Sequence, residues 1–175
     1  MSQLAEQKRD IDKAASVVRD AGGRVVGRTR LQKIAYLLEA TGLGDGFKFS
    51  YRNFGPYSEE LANATWQACL LGLLKEEERP ASWGGSYSVF ETVSAASPDP
   101  RQARLRLVEE ASRADAIALE LAATAAFLAN EGSQDTWRET AKRKPEKAEM
   151  RMADARALYA KLKSIDVPRP LPDLN

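Results

Sequence analysis

Arg24, Arg28, Arg30 and Lys33 put four cations into one short stretch, with no acid between Ala21 and Lys33. Cationic side chains at this density suit phosphate or carboxylate groups. The alternative is a solvated helix start whose cations pair with Glu39, Glu59 or Glu60. A footprint of so few phosphates binds weakly and is very sensitive to salt. A second basic stretch, Arg138, Lys142, Arg143, Lys144, Lys147 and Arg151, is diluted by Glu139, Glu146 and Glu149. Interleaved signs are the pattern of a solvated helix surface. Tyr51, Phe54, Tyr57 and Trp83 supply aromatic groups, either for a partner or for a satellite core under a loop. Trp83 sits at a glycine-rich tip where little can cover it, and large apolar groups left on a surface mark contacts.

Other chemistry is missing from the residue list. The chain has no histidine, which removes the usual general base, zinc ligand and pH switch together. Its one cysteine, Cys69, excludes an intramolecular disulfide and, within an apolar helix, reads as a buried inert thiol. No Cys or His cluster exists to bind zinc. Gly42, Gly44 and Gly46 lack the lysine and strand context of a phosphate loop. Glu59 and Glu60 are adjacent, so they point about 100° apart on a helix and do not converge on a substrate. The expectation is a protein without catalytic residues, metal or cofactor.

Formal net charge is +1, so no global field draws the protein to nucleic acid or an acidic membrane. The N-terminus lacks the apolar core of a signal peptide. No run approaches the roughly 18 apolar residues of a membrane span; Ala114 to Ala129 is interrupted by Asp115 and Glu120. These features and the single cysteine point to a reducing cytoplasm. Apolar residues at 43% and charged residues at 29% are ordinary for a globular protein. A chain of 175 residues fits one domain, or a domain with a helical annex.

The elements that would position these groups follow from periodicity. Residues 3 to 21 form a helix stopped by Gly22-Gly23. Val25-Val26 is a short extended piece. Thr29 and Gln32 have the spacing of a capping box, and Leu31, Ile34, Ala35 and Leu38 share one face of the helix they open. Phe47, Phe49 and Tyr51 alternate with polar residues, as in one short half-buried strand. Gly55-Pro56 makes a turn feeding a helix from Ser58 to about Leu71. Ser58 can cap that helix, and Glu59 and Glu60 suit the positive end of its dipole. Leu61, Ala64, Thr65 and Ala68 mark its buried face. A hairpin follows, with arms Leu73 to Glu78 and Ser86 to Val93.

Ser94 to Pro100 reads as a linker, broken by Ser97-Pro98 and Asp99-Pro100. Arg101 to about Asn130 holds one long helical pattern or two helices in line. Its part from Ala114 to Ala129 is apolar nearly all round, as a helix in mid-core is. Gln134 to Arg143 and Ala148 to Lys163 make two more helices. The tail from Val167 carries three prolines and reads as extended and mobile at its end. The fold class is mainly α with a small β hairpin, α+β. Residues 1–96 form a winged-helix-like core, 97–166 a helical annex packed on it, and 167–175 a Pro-rich tail.

Two features depart from a DNA-reading winged helix. Its two central helices are joined by about three or four residues, whereas Gly42 to Tyr57 intervene here. A recognition helix also points its N-terminal residues at the bases, and here that end carries Glu59 and Glu60.

With these blocks in view, the chain resembles the YwgA-like family of small bacterial proteins. The matching segments are Gly27-Arg28-Thr29-Arg30-Leu31-Gln32-Lys33 leading into Tyr36-Leu37-Leu38, then Phe54-Gly55-Pro56-Tyr57-Ser58-Glu59-Glu60-Leu61, then Gly72-Leu73-Leu74. The alanine-rich Leu119 to Leu128 and the closing helix are also arranged as in that family, so the resemblance covers most of the chain. Thr29-Arg30 stands where many relatives have Thr-Lys. More distantly, the chain is similar to SocA-like, or Panacea, antitoxin domains, which share a Lys-Leu-Gln-Lys helix and a Tyr-Gly-Pro turn. That likeness implies a non-enzymatic role in holding a partner protein, antitoxin-, phage- or defence-linked. The expected partner surface is Tyr57, Glu59, Glu60 and Trp83. The alternative is a winged-helix DNA-binding transcriptional regulator that contacts phosphates through Arg24, Arg28, Arg30 and Lys33.

Overall fold

The computed structural model describes residues 2–175. In chain order the elements are α1 (Gln3–Asp20), β1 (Arg24–Val26), α2 (Arg28–Ala40), β2 (Ser50–Arg52), β3 (Gly55–Tyr57), α3 (Glu59–Leu70), β4 (Leu74–Pro80) and β5 (Ser86–Thr92). Four helices complete the chain: α4 (Gln102–Arg113), α5 (Ala116–Asn130), α6 (Thr136–Arg143) and α7 (Pro145–Lys163). The protein is mainly helical with a small antiparallel sheet of order β1-β5-β4. The first strand therefore pairs with the last, Val25 opposite Phe90, and β1 and β4 form the two edges on either side of β5. A second, two-stranded ribbon joins β2 and β3.

α3 starts as its residues dictate. Ser58 is the N-cap, its hydroxyl accepts from the Leu61 N–H, and Glu59 and Glu60 occupy the first turn. Leu61, Ala64, Thr65 and Ala68 face inward. α2 starts differently from expectation. Its N-cap is Gly27, one residue before the first helical turn, and no side chain caps it. The capping box between Thr29 and Gln32 does not form, because the Gln32 amide is bonded to the main chain of Ser58. Gly27 has φ +99°, a conformation that only glycine reaches without strain.

The loop after α2 is built around a carboxylate. Glu39 Oε1 accepts from the N–H groups of Asp45, Gly46 and Phe47 at 2.7, 2.6 and 3.1 Å. This wrap buries Phe47 before any strand begins, so the expected strand from Phe47 is shortened to Ser50–Arg52. Gly55-Pro56 lies within β3 rather than in a turn leading directly to α3.

α5 lies at the centre. Residues from Ala118 to Ala126 are buried on every side, and the helix packs against α2, β3, α6 and α7. It is distinct from α4: Ala114 is extended, and Asp115 caps α5 by accepting from Ile117 and Ala118. Arg104 of α4 is fully buried. Its guanidinium donates to Asp20 and Asp45 carboxylates, to the Ser16 hydroxyl and to the Leu43 carbonyl. One side chain thereby ties α1, the loop after α2 and α4. Burial raises the Asp20 carboxyl, but hydrogen bonds from Arg19, the Asp99 N–H and Arg104 outweigh it, and the group stays below the usual range.

Two further expectations are corrected. The tail is not a free end: Leu171 is buried, the Arg169 N–H donates to Thr41 O, and the Tyr159 hydroxyl donates to Pro172 O. Apolar proline and leucine faces close over α2 and α7 there, which outweighs the disorder expected of a terminus. Cys69 is only part-buried, because it lies beside rather than on the inward stripe of α3. Burial still pushes its thiol up.

Candidate functional site

The two sequence blocks that stood out meet at one junction. From α2, the Gln32 amide donates to Ser58 O at 2.9 Å and accepts from Ser58 N at 2.8 Å. The next residue, Lys33, is 1% exposed and donates to Pro56 O at 2.7 Å. Consecutive residues of α2 thus hold the β3–α3 junction by its main chain. Burial lowers the Lys33 ammonium from 10.5 to about 8, although Glu120 supports its charge. Gly55 fits closely here. A Cβ at this position would stand 2.5 Å from Thr124 Oγ1, and its φ of +88° also demands glycine. Thr124 Oγ1 has no hydrogen-bond partner among the described residues.

Behind this junction the second basic stretch contributes two buried or half-buried cations. Lys144 donates to Glu120 at 2.7 Å and to Asn53 O at 3.0 Å, and Lys147 donates to both Glu120 oxygens. Lys147 also lies 4.9 Å from the Phe54 ring centre, and Arg143 lies 4.9 Å from that of Tyr51. Cation–π contacts of this kind hold the β2–β3 ribbon onto α6 and α7. On the surface, Arg138 pairs with Asp135, Arg143 also pairs with Glu139, and Arg151 pairs with Asp115 and Asp154.

The four cations of the first stretch have separate destinations. Arg24 pairs with Glu91 at 3.5 Å and Arg28 with Glu76 at 2.6 Å. Arg30 donates to the carbonyls of Ala111, Ser112 and Ala114, closing the C-terminal end of α4. A cation there also answers the negative end of that helix. Lys33 is inside. None of the four pairs with Glu39, Glu59 or Glu60, the partners that sequence suggested.

A groove runs along the face between the hairpin, α2 and α3. One pocket, of 500 Å³, is bounded by Leu31, Gln32 and Lys33 of α2, Phe54, Trp66 of α3, and Phe90 of β5, among others. A second, of 640 Å³, is bounded by the start of α2, Phe54, and Glu78, Trp83 and Ser86 of the hairpin. Arg28, Thr29 and Phe54 border both. Beyond the first pocket the apolar surface continues. Trp66 and Leu70, one turn apart on the outer side of α3, are 60% and 65% exposed. Leu71, Leu73 and Val93 extend it, with Val93 N–H bonded to Leu73 O.

Of the expected partner-binding residues, Trp83 is 75% exposed at the hairpin tip and Tyr57 borders the first pocket. Glu59 pairs with Arg52, which also lies over the Tyr57 ring, and Glu60 accepts from the Lys48 N–H. Both acids are thus engaged beside the groove rather than in it. Sequence reasoning missed Trp66 and Leu70. Their signal was present: they fall off the Leu61, Ala64, Thr65, Ala68 stripe, so large apolar groups had to stand on the outer face. No group of three His, Cys, Asp or Glu that could hold a metal occurs among the described residues. No helix among them is long and apolar enough to cross a membrane.

The chain is similar to the uncharacterised protein YwgA of Bacillus subtilis (strain 168), with 36% identity over 75 residues. That match spans 42% of this chain and 45% of the relative, so the chain covers less than half of the relative's length. The likeness is thus shown for a smaller part of the chain than the sequence motifs suggested. No family model matches the chain, and no solved structure does.

Proposed function

We propose that this protein is a non-enzymatic binding module that engages a partner protein through the groove and the outer face of α3. Helix, strand, helix, insertion, helix and hairpin, with β1 beside β5, is the connectivity that supports a winged-helix-like reading of the N-terminal part. In such a fold α3 takes the recognition position. The observation that carries the proposal is the exposed pair Trp66 and Leu70 on that helix, followed in the chain by exposed Leu71 and Leu73, the latter bonded to exposed Val93. An apolar patch of this make-up on a soluble body marks a protein contact, and tryptophan is enriched where such contacts are strongest.

The same face argues against duplex DNA. Its large exposed side chains, Trp66 and Leu70, are apolar and uncharged, and the first turn of α3 carries Glu59 and Glu60. The nearby cations are engaged in pairs, in a helix cap or in the interior. An antitoxin-, phage- or defence-linked setting is the biological context that this reading favours.

The test is a photoreactive amino acid at position 66, activated in cells of the native host. The expected result is one discrete adduct that disappears when Leu70→Glu is added. A photoreactive group at Lys161, which lies beside Glu110 of α4 and outside the groove, should give none. Equal adducts from both positions would remove α3 from the interface. DNA retention that weakens with salt and with Arg28→Ala would favour the regulator reading instead.

A further inference from the structure

The 500 Å³ pocket lies in front of an unbalanced set of buried charges. Lys33 borders it, is 1% exposed, and is bonded to a carbonyl, Pro56 O, instead of a carboxylate. The charged groups that act on Lys33 are Glu120 of α5 and Lys144 and Lys147 at the start of α7. Glu120 already accepts from both of those lysines. Three ammonium groups therefore share one carboxylate, and positive charge is in excess behind the pocket. Thr124 adds a donor without an acceptor to the same place. Its unpartnered Oγ1 and Lys33 Cε would stand 2.5 and 3.5 Å from a Cβ at residue 55.

The pocket's own border does not cancel this excess. Its charged members are Arg28, Glu76 and Lys33. Arg28 and Glu76 pair, but through Nε and Nη2 only. Among the described residues nothing is bonded to Arg28 Nη1, and the side chain is 73% exposed. The acids that open α3 are placed elsewhere: Glu59 is paired with Arg52, and Glu60 borders the polar cleft between α3 and α1. The remaining walls include Leu31, Phe54, Tyr57, Trp66 and Phe90.

We propose that this pocket receives a large apolar side chain of the partner protein with a carboxylate beside it, the apolar group against Trp66 and Phe90 and the carboxylate on Arg28. The inference rests on the partner-binding reading and names the chemistry of its anchor. A guanidinium–carboxylate bond is charge-assisted. The buried lysines act on it from behind through a medium that screens less than water. A neutral anchor gains nothing from that field, and a cationic one is repelled.

The experiment is a ¹⁹F titration of the whole chain labelled with 5-fluorotryptophan, the Trp66 signal being assigned with Trp66→Phe. The probe is N-acetyl-phenylalanine with its carboxylate free, run beside the neutral methylamide and beside phenethylamine. The acid should move Trp66 saturably and bind at least threefold more tightly than the methylamide, with the amine weakest. Arg28→Gln, at an exposed position, should remove that preference, and Lys33→Met should reduce it. In wild type the preference should also shrink from pH 7 to pH 9, as Lys33, lowered by burial to about 8, loses its charge. No movement at Trp66, equal binding of acid and methylamide, or a preference unchanged in both variants would overturn the proposal. A crosslink at position 66 without preference for the acid overturns the anchor chemistry alone. Preference for the acid without the crosslink supports the pocket's chemistry and removes the α3 surface.

Discussion

Gln32 bonds both main-chain groups of Ser58, giving its N–H to the carbonyl at 2.9 Å and taking the N–H at 2.8 Å. A primary amide is the side chain suited to this pairing, because it carries a donor and an acceptor side by side. With Lys33 on Pro56 O, it fixes where β3 ends and α3 begins. The resemblance-bearing blocks of the sequence are, in the structure, the two halves of this clamp.

Gln32→Ala leaves the buried Ser58 N–H unpaired and removes one of the two bonds to Ser58 O, which still accepts from the Ala62 N–H. The expected loss of stability is about 1–3 kcal/mol. Gln32→Glu keeps the acceptor but sets a buried carboxylate oxygen against Ser58 O at neutral pH, so it is expected to be no more stable than alanine. Urea unfolding monitored by tryptophan fluorescence checks the order of the three. Equal stability of all three would show that the pairing contributes nothing.

Lys33 predicts an unusual pH dependence. Its ammonium titrates near 8 in the folded chain, lowered by burial from 10.5. Between those values the unfolded chain binds more protons, so stability rises with pH across that window. Below pH 8 the buried charge costs about 3 kcal/mol, and the cost is relieved as the folded group loses its proton. Lys33→Met removes this contribution. The stability of wild type minus that of Lys33→Met should therefore increase by about 2 kcal/mol from pH 8 to 10. Tyr36, pushed up to about 12 by burial, acts in the opposite sense above pH 10, when the unfolded tyrosine ionises first.

Arg104→Met is expected to cost about 3 kcal/mol, because Asp20 loses its buried cation and keeps only the part-exposed Arg19. Arg104→Lys should recover little. One ammonium cannot reach the carboxylates, hydroxyl and carbonyl that the planar guanidinium bonds together. Urea midpoints of the two variants, with unchanged slopes, measure this. A lysine variant as stable as wild type would show that charge alone suffices.

The helices, the hairpin and the mid-core position of α5 were legible because apolar spacing and glycine stops are local properties. What escaped was set by contacts distant in sequence. Gln32 looked like half of a capping box, since nothing local shows that its partner is Ser58. Arg104 sat in a charged helix start and gave no sign of burial, as its partners lie 59 to 88 residues away. Lys144 read as one of a solvated run, yet it reaches Glu120 in the interior. Trp83 was legible at the tip because glycines leave it uncovered. Trp66 could have been found by asking which side of α3 the inward stripe leaves over.

The helix buried on all sides has an implication for how the chain comes apart. α5 rests on α2 on one flank and on α6 and α7 on another, and has no wetted side of its own. The segment before residue 97 packs α2 and β3 on this helix, and the segment after it, to which the helix belongs, leaves that flank bare without α2 and β3. Cutting at the 94–100 linker should therefore yield two fragments that remain associated or collapse together, in one cooperative melt, instead of two self-sufficient pieces.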